Sequence, residues 1–276
     1  MVTLISAVVY GLLAALCAAI ISPLQFLKIM RQKTFNSYTS IFHDNVRKEG
    51  WKVLYRGMKP YILMNFIANL SFGMADSIYI YIYQMKDRLY SDEFIQLFYI
   101  PVYLLMSFLF RPFLGGLIET IFTFYHEICE INSNKGLRQS ITKDDLKLIP
   151  FLILRNSISW IGIVLSYEII LFYMSLQITS YSYFSINSYY FLFFDVLVTI
   201  FFAILFSFVS LPFDVLVTIC AGENNKQNLW QKLFYMMQKN YRVVFSGFFM
   251  RALQIVIYNL VTVGTMHLIR CFIFPL

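Results

Sequence analysis

Few side chains in this 276-residue chain could do chemistry, and the spacing of most of them argues against a reaction. Cys17, Cys129, Cys220 and Cys271 stand too far apart for a CxxC pair or a metal-ligand set, so they read as isolated thiols in apolar segments. His43, His126 and His267 form no HExxH, and no dinucleotide fingerprint, phosphate loop or nucleophile elbow is present. The expectation is no catalytic residue, no metal site and no enzyme. Arg155 is the informative residue, lying about five positions inside a long apolar run. Its guanidinium is always charged and can grip a carboxylate or phosphate with two parallel hydrogen bonds. A charge inside an apolar span points to function by default. The competing reading is an arginine that snorkels to the water interface, which is the expectation for Arg251 near the start of a later run.

The elements that must position Arg155 follow from composition. Hydrophobic residues make up 59% of the chain and charged residues only 13%, too apolar a balance for a water-soluble core of this size. Six apolar runs, near 4–27, 60–85, 94–120, 149–175, 186–219 and 248–275, each exceed the roughly 20 residues that cross a bilayer as a helix. The short alternating segments of a β-barrel are absent. The class is therefore an all-α membrane protein with six transmembrane helices. Residues 1–22 lack a basic start and run on through Pro23, so they read as a retained first helix and not a cleaved signal.

The connections alternate long and short, with polar stretches after the first, third and fifth runs, which is a repeat of about 100 residues. The expected boundaries are 1–87, 88–176 and 177–276. Pro23, Pro112 and Pro212, 89 and 100 residues apart, fall near the ends of the odd runs and predict three helix kinks at one depth. The string Glu49-Gly50-Trp51-Lys52-Val53-Leu54-Tyr55-Arg56-Gly57 has a counterpart in Lys239 to Gly247, with an aromatic, a basic residue and a final glycine in matching order. The long links carry fifteen basic residues and the short ones only Lys86 and Arg88, so the long links face the side on which positive charge is retained. Within the first link, Ser37 to Glu49 predicts an amphipathic helix with Ile41, Phe42 and Val46 on its apolar face. In the third, Trp230, Leu233, Phe234 and Met237 share helical spacing.

These features resemble the mitochondrial carrier family, whose three repeats each carry Pro-x-acid-x-x-base near the end of an odd helix. The first repeat reads Pro23-x-Gln25-x-x-Lys28, followed by Gln32 and by Tyr55-Arg56-Gly57-x-x-Pro60. The third reads Pro212-x-Asp214-x-x-Val217 with Gly247, and the second, read from its proline, gives Pro112-x-Leu114-x-x-Leu117 with both charges gone. The resemblance implies a pseudo-threefold barrel of three two-helix repeats around a central cavity, in the mitochondrial inner membrane, with the long links on the matrix side. It implies a matrix-side gate of Lys28 and Asp214 with Gln25 beside them, and a cytoplasmic-side gate of Glu168 and Arg270 with Tyr167. It places substrate at Arg155 and Asn156, Met64 and Asn65, and Gln254.

The function implied is a solute carrier moving a small anionic metabolite by alternating access, with Arg155 taking its carboxylate. So few surviving gate charges leave a second reading open, a non-transporting carrier-like subunit of a larger inner-membrane assembly. An unrelated six-helix transporter or enzyme is the third. The formal net charge of +7 lies in the links, where anionic lipid is a better partner than nucleic acid. The resemblance implies bound cardiolipin at Arg56, Gly57, Ser246 and Gly247, and no other cofactor.

Overall fold

The computed structural model describes residues 2–89, 109–180, 188–223, 228–239 and 241–273. Among these, six long helices dominate: α1 (Val2–Thr34), α3 (Met58–Leu89), α4 (Arg111–Asn134), α5 (Ile149–Ser180), α6 (Ser188–Cys220) and α8 (Phe248–Ile273). Two shorter ones, α2 (Tyr38–Glu49) and α7 (Leu229–Lys239), lie in the first and third long links. No strand occurs among the described residues. Each long helix packs against its neighbours in chain order, and α8 returns to α1, so the six close a ring. Four described stretches are long and apolar enough to cross a membrane: Val8–Thr34, Asp145–Ser166, Phe193–Cys220 and Tyr241–Val261. Residues 90–108 and the aromatic stretch 181–187 lie outside the described residues.

The first link folds as its residues predict. Ser37 caps α2 by accepting a hydrogen bond from the Ser40 N–H, and Gly50, at φ 74°, ends it with its N–H on the Val46 carbonyl. Ile41 is buried among Phe26, Leu27, Val53 and Leu54, with Phe42 and Val46 against the same cluster. His43, Asp44, Arg47 and Lys48 lie on the outer side, so α2 lays its apolar side on α1. In α7 the buried residues are Leu229 and Leu233, whereas Trp230, Phe234 and Met237 remain exposed. Of the four residues at helical spacing, Leu233 is in the core, and Trp230 packs at its rim with its ring tilted against Phe151, centroids 4.6 Å apart.

The third run departs from its expected bounds. Its helix continues to Asn134, where a Schellman motif closes it: the Gly136 N–H, at φ 74°, bonds to the Ser133 carbonyl and the Leu137 N–H to Asn132. Pro112 therefore lies well before the end of this helix, directly after the π-helical pair Leu109 and Phe110. Pro23 and Pro212 lie inside α1 and α6. Lys135, just beyond α4, donates to the carbonyls of Ile219 (3.1 Å) and Ala221 (2.8 Å) at the end of α6, and burial pushes its ammonium pKa down to about 8. Asp145 ties the same link to the next, accepting from the N–H of Thr142 and of Gly222, each at 2.8 Å.

Close helix contact rests on two glycines of α4. A Cβ at Gly115 would overlap the Trp160 ring, and one at Gly116 would lie 2.5 Å from the backbone nitrogen of Ser157. A side-chain ring can shift, but the backbone of α5 cannot. Gly116→Ala is expected to lower stability by about 1–3 kcal/mol, as overpacking does. Thermal unfolding in mild detergent checks this, and an unchanged midpoint would contradict the close α4–α5 approach.

Candidate functional site

The charged residues of the ring converge because the two polar helix ends repeat one arrangement. Lys28 and Gln32 sit one turn apart on α1, against Gly247 at the start of α8: a Cβ there would lie 3.2 Å from the Lys28 Cγ and 3.1 Å from the Gln32 Cγ. Glu130 and Asn134 sit one turn apart on α4, against Gly57 at the start of α3, where a Cβ would lie 2.7 Å from the Asn134 amide nitrogen and 3.0 Å from the Glu130 carbonyl oxygen. Gly57 and Gly247 have φ of 80° and 86°, which favours glycine, and the facing helix leaves no room for a side chain. The two joints are equivalent, so Glu127-x-x-Glu130-x-x-x-Asn134 is the counterpart of Gln25-x-x-Lys28-x-x-x-Gln32. The stretch read from Pro112 as having lost both charges thus carries two at the equivalent positions of α4. Their register is marked by polar spacing and the Asn134-Lys135-Gly136 helix end, with Tyr125 standing where α1 and α6 have proline. Both glutamates escaped the reading from Pro112, although the shared polar spacing could have found them.

The third joint differs. Leu148 precedes α5 as Gly57 precedes α3, and it is fully buried in one cluster with Leu216, Val217, Cys220 and Ala221. Val217 and Ala221 hold the positions of Lys28 and Gln32. An apolar side chain therefore fills the space between apolar partners, so burial takes the place that ion pairing has at the other joints.

Lys28 and Asp214, paired in the expectation, lie together with Nζ 2.8 Å from Oδ2. Asp214 is the hub of a larger cluster. It accepts from Gln32 Nε2 at 3.0 Å, from Arg251 Nη1 at 3.2 Å and from Arg155 Nη1 at 3.4 Å. Arg251 also donates to Ser207 Oγ at 2.5 Å, so it points into the protein and does not snorkel. Its inward aim was not legible, because residue 251 sits close to the start of its run and only the fold directs it. Arg155 grips Glu127 with both terminal nitrogens, Nη2 lying 2.9 Å from Oε2, and it donates to Asn156 Oδ1 from Nε at 3.0 Å. Asn156 in turn donates to Thr120 Oγ1 at 3.0 Å. Glu127 on α4 thus has its bonded cation on α5.

A second polar chain runs beside the first. Gln254 donates to Gln25 at 3.1 Å, and Gln25 Nε2 donates to both Glu130 oxygens at 3.1 and 3.3 Å. Asn134 adds a donor to Glu130 at 2.8 Å. The geometry of Gln25 to Glu130 (α1 to α4) repeats that of Asp214 to Lys28 (α6 to α1), with amide and carboxylate in place of acid and base. Both chains open onto one cavity of about 350 Å³ lined by all six long helices. Met64, Asn65, Arg155, Asn156 and Gln254, the five residues expected to meet substrate, all line it. Asn65 spends an amide proton on the Tyr61 carbonyl at 2.8 Å, one turn back in its own helix. The side chains of Tyr167, Glu168 and Arg270 lie outside the described residues.

One expectation about Arg155 changes with this geometry. It is 8% exposed and already compensated by Glu127 and Asp214, so it is not a free cation awaiting a carboxylate. Arg56 pairs with Glu49 at the half-exposed edge of the first link, and Ser246 and Gly247 lie buried at the start of α8.

The fold and site define a closed ring of helices, apolar outside, around a charged central cavity. Residues 2–86, spanning α1, α2 and most of α3, match the family model for mitochondrial carrier proteins, which marks this part as a mitochondrial carrier repeat and supports a member of that family. No curated protein matches the chain. Mitochondrial carriers are transporters and not enzymes.

Proposed function

We propose that this protein is a solute carrier of the mitochondrial inner membrane, with six spans in three two-helix repeats that exchange a small polar metabolite by alternating access. The observation that carries this reading is the cluster around Asp214. Bonds from α1, α5 and α8 meet on one carboxylate of α6 and hold the ring together at one level of the cavity. Opening that level requires these bonds to break, and a solute that competes for the same groups offsets the cost. A closure made of two polar joints and one apolar joint suits a gate that must part, because buried ion pairs can be replaced one by one by solute or water. A small anion, the substrate implied by a free Arg155, loses support once that guanidinium is gripped by Glu127.

Cardiolipin belongs to the same proposal. Its phosphates would seat at the starts of α3 and α8, near Arg56 and Gly57 and near Ser246 and Gly247, where helix N–H groups lack internal partners. Purified protein in cardiolipin-containing liposomes is expected to take up at least one labelled metabolite from a panel of carboxylates, amino acids and amines, above empty vesicles. Vesicles that take up none of them would sink the carrier reading. A stoichiometric partner on purification would then favour a structural subunit of a larger assembly.

A further inference from the structure

The cavity wall holds four carboxylates, Glu119, Glu127, Glu130 and Asp214, and three cations, Lys28, Arg155 and Arg251. All three cations are spent on Asp214, and Arg155 also on Glu127. Glu119 and Glu130 are left with neutral donors. Trp160 Nε1 reaches Glu119 at 2.8 Å, while Gln25 and Asn134 serve Glu130. Among the described residues neither carboxylate has a cation within ion-pair distance, yet Glu130 is only 1% exposed. A buried carboxylate without a bonded cation is costly, and its hydrogen bonds to neutral donors offset only part of that cost. The two lie eleven residues apart on α4, close to three full turns, so they face the same side about 16 Å from each other. Aromatic rings accompany them along the wall: Trp160 beside Glu119, with Tyr61 and Tyr258 on the same cavity. An aromatic face attracts a cation and does nothing comparable for an anion.

We infer that the cavity selects a small organic cation, with an ammonium group received at either of two separate places on its wall, at Glu119 beside the Trp160 ring or at Glu130 about three helical turns away. This rests on the carrier reading for transport, but the binding site stands by itself. Such a solute supplies the charge that the wall lacks. It also competes with Lys28 and Arg155 for Asp214 and Glu127, which links its arrival to loosening of the cluster. A dianion would meet two carboxylates that have no bonded cation and find each cation of the wall already bonded to an acid.

The full chain in mild detergent is to be heated with putrescine, lysine, malate or citrate, and the same four solutes offered to proteoliposomes. The amines are expected to raise the unfolding midpoint and to enter the vesicles, with malate and citrate doing neither. Glu130→Gln and Glu119→Gln, close in shape to the native residues, are expected to bind the amines at least about tenfold more weakly. The wild-type comparison needs no variant, so a misfolded substitution does not decide the outcome. Stabilisation by amines without uptake keeps the cation site and removes the carrier function. Uptake of malate or citrate and not of the amines overturns the inference and leaves a carrier, and stabilisation by malate or citrate alone overturns the inference without supporting one. No response to any of the four overturns the cation site.

Discussion

Asp214→Asn is expected to cost the folded protein about 3–5 kcal/mol, the size of the loss when one member of a buried ion pair is removed. The reason is the number of charges that the change strands. Lys28, Arg155 and Arg251 all lie within 3.4 Å of this carboxylate, and it is itself only 3% exposed. An amide of the same shape keeps the hydrogen-bond acceptor and loses the charge, leaving three cations facing one another with Glu127 as their remaining bonded acid. Mutual repulsion would part α1, α5 and α8, which the native carboxylate holds together. Unfolding followed by tryptophan fluorescence in mild detergent measures the loss. Adding Lys28→Met to Asp214→Asn should recover part of it, because one stranded charge is gone. A midpoint unchanged by Asp214→Asn would show that the cluster is not what holds this level of the ring closed.

Arg155→Gln is expected to be comparably damaging, by about 3–5 kcal/mol, because Glu127 then stays buried without a cation. Glu127→Gln alone should cost less, since Asp214 still engages Arg155 at 3.4 Å. Combining the two removes the acid and base together and leaves amides that can still bond to each other. The double substitution should therefore be more stable than the sum of the single losses predicts, by about 0.5–3 kcal/mol of coupling. Additive losses would mean that the bidentate contact contributes little. Arg155→Lys is the sharper control, because it keeps the charge but cannot make two parallel bonds. If that substitution restores full stability, charge and not fork geometry is what Glu127 requires.

Much of this architecture was legible in the chain itself. Apolar runs longer than about 20 residues leave few alternatives to helices that cross a bilayer. The pairing of Lys28 with Asp214 and the set of cavity residues from Met64 to Gln254 came from the resemblance to the carrier family, carried onto the positions that match its motif. The third run resisted. Taking Pro112 as the proline of the family motif hid Glu127 and Glu130, whose register is set by the helix end at Asn134.

What the amino-acid order decided alone is the set of helices and the amphipathic α2 with its cap at Ser37. Those features depend on neighbours within a few residues, and local periodicity carries them. What only the tertiary structure decided is partnership among the charges. Arg155 and Glu127 are 28 residues apart, and Gln25 and Glu130 are 105. Whether a buried guanidinium is free or already engaged depends on which carboxylates the closed ring brings to it. That is a matter of distance in space, because a charge in a low-dielectric interior is governed by its nearest counter-charge wherever that lies along the chain.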